Sequence, residues 1–419
     1  MIISRKKMLM SGIFFIYVLS LIMKNILNFS DGIQDLMVIG FILTFLLFSP
    51  VRLINGMGVL VREKITLIFI CFFIYFIWLS IGSRISILDI ALEFLSIFKW
   101  LIYFYLGFLS SYVLRLKGRQ FNLPDTKLML IWALSLLLYS LLFFNWSTLL
   151  NSELNSLFGF YENSYSSLFS QRSVFGLFGF ILFLYALNNK NYSNKNLLIL
   201  TSVIFIFMSG NRKILIAVLM IILFFDWVKF FNISESYRKF INLFTILLLL
   251  VIAITVSSTS FFKKSVTEYS NLEQPRVAAY LISYEILKDN FPIGSGPATF
   301  ASRGSMIEYS SLYSEYDLDN RWGFRQEDEV KFHNDTYWAQ IISQYGAIGL
   351  LLFFFLSFSF YRLIDSIELL VSPKLIFTVF LLISIVTPSL QRIEVALFVF
   401  FVFGVLTELQ NKKQTLNIK

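Results

Sequence analysis

Apolar segments long enough to cross a membrane recur along the whole chain. A spanning helix needs about 20 predominantly apolar residues, and the sequence predicts about twelve such segments. They lie near residues 8–24, 32–50, 65–82, 94–114, 128–146, 173–188, 196–209, 213–231, 240–257, 337–361, 374–388 and 392–409. Hydrophobic residues make up 57% of the chain and charged residues 15%, against about 45–50% and 25% in soluble domains. We therefore expect an all-α polytopic membrane protein, and neither a soluble domain nor an enzyme with a single anchor.

The distribution of Lys and Arg predicts the orientation of these segments. Cytoplasmic loops of membrane proteins carry an excess of both residues. With a cytoplasmic N-terminus, most of them fall in cytoplasmic loops and termini. The short outer loops hold Lys24, Arg84, Arg172, Arg212, Lys213 and Arg392. Both termini are thus predicted to be cytoplasmic, and the net charge of +9 reflects this bias and does not indicate nucleic acid.

The same reading divides the chain into three parts of one integrated membrane domain. Residues 1–257 hold the first nine spans, residues 258–336 form a long loop outside, and residues 337–419 hold the last three spans. Loops this long between helices are commonly functional or disordered. Within the loop, the segment 276–291 has apolar residues at helical spacing and predicts an amphipathic helix at the membrane surface.

Several classes of chemistry are excluded by missing motifs. The chain has no Walker A motif, no GxGxxG after a strand, no HExxH and no GxSxG. Its single Cys, Cys71, and its single His, His333, exclude an intramolecular disulfide and metal sites built from several Cys or His. The acidic run at 327–329 fits no EF-hand loop and favours a solvated face over a divalent-cation site. We expect no metal and no cofactor.

Two arginines are candidates for binding an anion. Arg212 follows Ser209-Gly210-Asn211 in a short outer turn, where either snorkelling to the headgroups or a bound phosphate would explain a cation. The positive-inside rule disfavours Arg212-Lys213 outside and so favours the phosphate. Arg276 opens the predicted amphipathic helix, as either a solvated loop charge or a second phosphate clamp.

The long loop and the spans hold further candidates. Gly294-Ser295-Gly296 is either a plain turn or a turn whose bare backbone approaches a ligand or a helix. His333 precedes an apolar helix that Asn334, Asp335 or Thr336 could cap. It is either structural or a general base, for which its ordinary pKa of about 6.5 is suitable. Within the spans, Lys99 is predicted to pair with Glu93 or another carboxylate.

Three of these segments, in this order and spacing, resemble the bacterial O-antigen polymerase and O-antigen ligase superfamily. Ser209-Gly210-Asn211-Arg212 is similar to the Ser-x-Ser-Arg of that family at an outer helix end. Arg276 followed by Pro292-Ile293-Gly294-Ser295-Gly296 and Phe300 resembles its Arg, helix and Pro-x-x-Gly-x-Gly-x-x-Phe. His333-Asn334, Tyr337 and Gly346-Ala347-Ile348-Gly349 resemble its His-Asn, aromatic and Gly-x-x-Gly. The chain departs from the pattern at Gln344, where the family often has Glu, and in a stretch from His333 to Gly346 that is about two residues longer.

The resemblance implies a metal-independent, inverting glycosyltransferase with a multi-helix fold of the GT-C-like class, in the bacterial inner membrane. It implies a donor glycan on undecaprenyl diphosphate, used at the periplasmic face. His333 would be the general base, and Arg212 and Arg276 would bind the diphosphate, with Arg172 as a further family arginine. Gly294, Gly296 and Asn334 would lie near the substrate. Membrane lipids, a chain-length regulator and the flippase of the same pathway are the expected partners.

The leading interpretation is a polymerase that joins lipid-linked repeat units. The ligase of the same superfamily, which transfers glycan to another acceptor, shares this chemistry and remains an alternative. A lipid-linked oligosaccharide flippase is an alternative of a different class and would not need His333. A structural scaffold gives no reason for arginines on the outer side.

Overall fold

The computed structural model describes residues 13, 16–17, 31–47, 50–61, 63–81, 86–116, 172–188, 195–209, 211–224, 275–328, 336–385 and 387–417. For Arg172 and Arg212 it describes the backbone only. His333 and Asn334, the predicted spans 128–146 and 240–257, and most of the span 8–24 lie outside the described residues.

All regular secondary structure in the described part of the chain is helical. The first half contains α1 (Asp31–Leu47), α2 (Pro50–Val61), α3 (Lys64–Ser80), α4 (Ile87–Leu116), α5 (Arg172–Asn188), α6 (Lys195–Ser209) and α7 (Arg212–Phe224). The long loop contains α8 (Pro275–Asp289), α9 (Arg303–Ile307) and α10 (Leu312–Glu315). The last part contains α11 (Tyr337–Leu363), α12 (Pro373–Ile383), α13 (Ile393–Val395), a π-helical stretch Ala396–Phe401 and α14 (Val402–Asn417).

Three of these helices are long and apolar enough to cross a membrane: Asp89–Leu114, Tyr337–Ser366 and Ile393–Gln410. Shorter apolar helices accompany them, among them Lys64–Ser80, Phe175–Asn188 and Lys195–Ser209. Large apolar side chains of α3 and α11, such as Ile74 and Phe354, are about 60% exposed. Exposed apolar faces of this size are suited to lipid contact, so the described part of the chain has the all-helical character of a membrane protein.

The core of the bundle forms around α4. Trp100, fully buried on α4, packs its ring against Phe360 of α11, Phe377 of α12 and Phe400 of the π-helical stretch. The pair with Phe360 is edge-to-face, and such aromatic pairs add about 0.5–1.5 kcal/mol each beyond their buried area. α4 is therefore the element on which the C-terminal helices are assembled.

Several polar side chains inside the bundle bind partners on other helices. Lys99 of α4 makes an ion pair of 2.5 Å with Asp35 of α1, so the partner of Lys99 is another carboxylate and not Glu93. The Tyr17 hydroxyl donates to Glu394 over 3.1 Å, and Ser111 of α4 donates to Glu408 of α14 over 2.8 Å. Buried charges are costly unless they are paired, so these contacts fix which helices are neighbours.

The described part of the long loop, residues 275–328, has a small core of its own. Tyr313 is fully buried and packs against Phe300 and Phe324. Its hydroxyl accepts from Ala301 N at 3.2 Å and lies 2.7 Å from the Ser305 hydroxyl. Burial raises the pKa of Tyr313 well above its ordinary value, so this phenol stays neutral. The described part of the loop is thus folded, with α8 packed against α11. The bounds of α8, Pro275–Asp289, are close to those of the amphipathic helix predicted at 276–291.

Candidate active site

The glycine-rich turn of the long loop docks on α11 through backbone atoms. Gly346 interrupts α11 with a positive φ of 62°, and Gly294 in the turn has a φ of 90°. The amides of Ser295 and Gly296 donate to the carbonyls of Ser343 and Gln344 over 2.9 and 3.0 Å. The turn therefore approaches a helix closely, which is one of the two roles that its sequence allows.

This docking repairs the break that Gly346 makes in α11. An α-helix bonds each N–H to the carbonyl four residues earlier. At the interruption, the two loop amides donate to the carbonyls of Ser343 and Gln344 instead. In return, the amide of Ile348 donates to the carbonyl of Pro292 over 3.2 Å. The Tyr75 hydroxyl of α3 lies 2.6 Å from the Ile293 carbonyl and 3.0 Å from that of Tyr345. Three separate parts of the chain are thereby fixed at one point.

Gln344 holds the loop with its side chain as well. Its amide oxygen accepts from Ala298 N at 3.1 Å, and its amide nitrogen donates to the Phe300 carbonyl at 2.5 Å. An ionised Glu could accept but could not donate. The Gln at this position, which departs from the family pattern, is therefore explained by the backbone groups that it must satisfy on both sides.

A chain of buried polar side chains connects α4 with the segment 384–392, which joins α12 to α13. The Glu93 carboxylate, 3% exposed, accepts from the amide nitrogen of Gln340 on α11. The amide nitrogen of Gln391 donates to Gln340 Oε1 over 2.5 Å. The side chain of Gln340 therefore links Glu93 to Gln391 through two hydrogen bonds.

The segment 384–392 also contacts α8, which carries Arg276, and the start of α11. Tyr280 donates its hydroxyl proton to the Ile385 carbonyl over 2.6 Å, and Tyr280 lies one turn after Arg276 on α8. Trp338, at the start of α11, donates to the Ser384 hydroxyl over 2.8 Å. Arg276 is partly buried in the first turn of α8.

The turn between α6 and α7 brings two further predicted residues near this end. Asn211 caps α7, because its side-chain oxygen accepts from Lys213 N at 3.1 Å. Arg212 is the first residue of α7 and Arg172 the first of α5. Gly176, one turn into α5, packs against Ser209 at the end of α6. The starts of α5 and α7 are thus neighbours in the structure.

Arg276, Gly294 and Gly296 therefore lie at the end of the bundle where α8 and α11 meet the segment 384–392. This end also holds the end of α3 and the start of α4. We call it the loop end. Thr336 occupies the N-cap position of α11 without a side-chain capping bond, and the helix begins at Tyr337 as the sequence predicts. The roles predicted for His333 and Asn334 remain predictions, because both residues lie outside the described part of the chain.

Sequence reasoning missed the importance of the segment 384–392. The polar run Thr387-Pro388-Ser389 and Gln391-Arg392 between two apolar spans was its only signal. In the structure this segment touches α8, α11 and, through Gln340, the buried Glu93.

In the described part of the chain, fold and site together have the character of an all-helical membrane protein in which a folded loop segment docks on one end of the bundle. Residues 197–354 match the sequence profile of a family described as O-antigen ligase. This match supports membership of the chain in the O-antigen polymerase and ligase superfamily, as the three motifs predicted. No curated protein matches the chain.

Proposed function

We propose that this protein is a surface-polysaccharide polymerase that joins oligosaccharide repeat units carried on undecaprenyl diphosphate. The observation that carries the proposal is the family match over residues 197–354, because this region includes Arg212, Arg276 and His333. A polymerase and a ligase of this superfamily use the same chemistry, so the match supports both. The absence of a nucleotide-binding motif in the sequence favours a donor that brings its own diphosphate.

In the proposed reaction, a hydroxyl on the terminal sugar of one lipid-linked repeat unit attacks the anomeric carbon of a second lipid-linked glycan. The bond from that carbon to the diphosphate oxygen breaks, and the electron pair leaves with the diphosphate. His333 takes the proton of the attacking hydroxyl, a contribution of about 10²–10⁴ in rate. The configuration at the anomeric carbon is inverted, and undecaprenyl diphosphate is released.

Arg212 and Arg276 would stabilise the negative charge that develops on the leaving diphosphate. A guanidinium suits this role because it donates two parallel hydrogen bonds to phosphate oxygens. Tyr280 supports the placement of Arg276, since its hydrogen bond to Ile385 fixes the first turns of α8 at the loop end. The proposed site faces the periplasm in the bacterial inner membrane, and a chain-length regulator and a flippase would act in the same pathway.

The ligase is the second candidate, because the matched family is described as O-antigen ligase. A cell-free reaction that contains only lipid-linked repeat units separates the two. A polymerase gives a ladder of products, whereas a ligase gives none without its own acceptor. A flippase, the alternative of another class, moves the lipid without changing glycan length.

The test of the proposed function is the length distribution of the glycan in a deletion strain complemented with His333→Ala. We expect the ladder to collapse to a single repeat unit, because no group would take the acceptor proton, while protein abundance on a blot stays normal. An unchanged ladder would make His333 structural. Loss of even the single-unit band would indicate the ligase or flippase step instead.

A further inference from the structure

Three polar side chains form a continuous hydrogen-bonded row inside the bundle at the loop end. Glu93 of α4 is 3% exposed and Gln340 of α11 is 2% exposed. Gln340 donates from its amide nitrogen to the Glu93 carboxylate, and its Oε1 accepts from the amide nitrogen of Gln391 over 2.5 Å. We call Glu93, Gln340 and Gln391 the amide row. Its donors all point the same way, from Gln391 through Gln340 to Glu93.

The carboxylate dictates the direction of the amide row. An ionised carboxylate only accepts hydrogen bonds, whereas the amide of Gln can both donate and accept. Contact with Glu93 therefore turns the amide nitrogen of Gln340 toward α4, which leaves Gln340 Oε1 to accept from Gln391. A neutral residue at position 93 would leave both orientations of the Gln340 amide open.

Stability alone gives no reason for a charge at this place. Neighbouring positions of α4 and α11 are buried apolar side chains, such as Ile97 and Ile341. No cation in the described part of the chain pairs with Glu93. A buried carboxylate without a cation is costly, and buried charged groups can often be replaced by apolar ones without loss of stability. The amide row therefore serves geometry more than stability.

The amide row joins the elements that meet at the loop end. Gln340 lies in the first turn of α11, where Tyr337 donates its hydroxyl proton to a carbonyl of α4 over 3.0 Å. Gln391 lies in the segment 384–392, which α8 binds through Tyr280. The row thus links α4 to the start of α11, and the start of α11 to the segment that holds α8.

We infer that Glu93 is a positioning residue for the proposed glycosyl transfer. Its carboxylate acts through Gln340 and holds the first turn of α11 against the segment 384–392. In this way it sets the start of the helix that follows His333 in sequence relative to α8, which carries Arg276. The inference rests on the proposed function and adds a residue that lies outside the three sequence motifs.

The first test is Gln340→Glu in the full-length protein, assayed with lipid-linked repeat units. The change keeps the shape of the side chain but places a second carboxylate against Glu93, and like charges repel. We expect kcat for chain growth to fall about tenfold or more, because small misplacements of reacting groups are costly in rate. KM for the donor should stay within about threefold of wild type, since the loss falls on the reaction and not on binding.

The second test is rescue by exchanging the two residue types. In the double variant Glu93→Gln with Gln340→Glu, the carboxylate at position 340 can accept from the amides at positions 93 and 391. Both hydrogen bonds of the amide row are thereby restored with one charge. We expect kcat to return to within about threefold of wild type. A role confined to filling space predicts no such recovery.

Ser111→Ala is the matched control on the same helix. Ser111 donates to the buried Glu408 over 2.8 Å, away from the loop end, so the variant also loses a hydrogen bond to a buried carboxylate. It should lower the unfolding midpoint without lowering kcat. If Gln340→Glu does not fold, Gln391→Leu replaces it, because it removes only the hydrogen bond at the partly buried end of the row.

Three results would overturn the inference. They are an unchanged kcat in the folded single variant, no recovery in the double variant, and an equal loss of kcat in Ser111→Ala.

Hydrogen–deuterium exchange separates this inference from the proposed function. Wild type that makes no ladder from lipid-linked repeat units would contradict the polymerase. The positioning role is then judged by exchange in the segment 384–392, which should be faster in Gln340→Glu and normal in the double variant. Equal exchange in all three proteins would refute the role of Glu93, whatever product the wild type makes.

Discussion

Gly346 and Gly294 face each other where the long loop meets α11, and neither position has room for a side chain. A Cβ on Gly346 would lie 2.5 Å from the Pro292 oxygen and 2.5 Å from Gly294 N, both of which are backbone atoms. Backbone atoms cannot rotate away as the end of a flexible side chain can. At the scale of the residue, the docking of the loop thus requires that neither position carries a side chain.

Gly346→Ala is expected to detach the turn from α11. The backbone of Gly346, with φ 62° and ψ −161°, costs a residue with a side chain about 1–3 kcal/mol, and forcing a methyl group into filled space adds about 1–3 kcal/mol. Thermal unfolding in detergent should show a clearly lower midpoint, and the amides of Ser295 and Gly296 should exchange faster with deuterium.

Gly58→Ala is the control for this substitution. Gly58 lies in α2, and a Cβ there would meet nothing within 4 Å. The extra methyl group should be neutral or slightly stabilising, because Ala is favoured over Gly in helices. Equal midpoints for Gly346→Ala and wild type would contradict the account of the docking.

At the scale of the element, the ion pair between Lys99 and Asp35 joins α1 to α4. Both side chains are at most 7% exposed, and the two charged atoms are 2.5 Å apart. Breaking a buried pair by removing one partner typically costs about 3–5 kcal/mol, because the remaining charge is left without compensation. The pair thereby specifies the contact between two helices that are otherwise held by apolar side chains.

Lys99→Met should strongly destabilise the protein, and a second change, Asp35→Asn, should recover most of the loss. The measurement is the unfolding midpoint of the single and double variants in the same detergent. Lys374→Met serves as the comparison, because Lys374 pairs over 2.6 Å with Asp365, whose side chain is 63% exposed. Exposed pairs are worth about 0–1 kcal/mol. Similar losses from Lys99→Met and Lys374→Met would refute a structural role for the buried pair.

The extent to which the elements can be read from sequence depends on what defines them. Apolar composition predicts α5 at 173–188 and α11 at 337–361, and the structure places them at Arg172–Asn188 and Tyr337–Leu363. It does not predict α2 (Pro50–Val61), which mixes polar with apolar residues. Nor does it predict the break at Gly346, because the groups that stabilise the break come from a turn about fifty positions earlier.

At the scale of the whole molecule, functional candidates that are far apart in sequence come together only through tertiary contacts. The sequence motifs identified Arg276 and the glycine turn, and the structure places both at the loop end. Arg392 could not be distinguished in the sequence from any other outer cation. It lies next to Gln391, which bonds Gln340, and near the start of α7, and no local pattern in the sequence shows these tertiary neighbours.

The proposed concentration of cations at the loop end predicts that polymerisation does not depend on a divalent metal. Charge on the diphosphate would be neutralised by the guanidinium groups that are proposed to bind it. Addition of EDTA to a cell-free reaction should therefore leave the product ladder unchanged, with a Mg²⁺-dependent glycosyltransferase as the positive control. Loss of the ladder and its return with Mg²⁺ would direct attention to the acidic run at 327–329.

The backbone hydrogen bonds between the glycine-rich turn and α11 near Gly346 also bear on how the protein is made. Without the loop, the carbonyls of Ser343 and Gln344 would lose these donors, and an unbonded carbonyl away from water costs several kcal/mol. The ribosome delivers residues 292–296 before residues 343–348, and in the predicted orientation they have already been translocated when α11 leaves the exit tunnel. If the predicted orientation holds, the donors would already lie at the far side of the bilayer, and the interrupted helix would gain its hydrogen bonds as it is inserted.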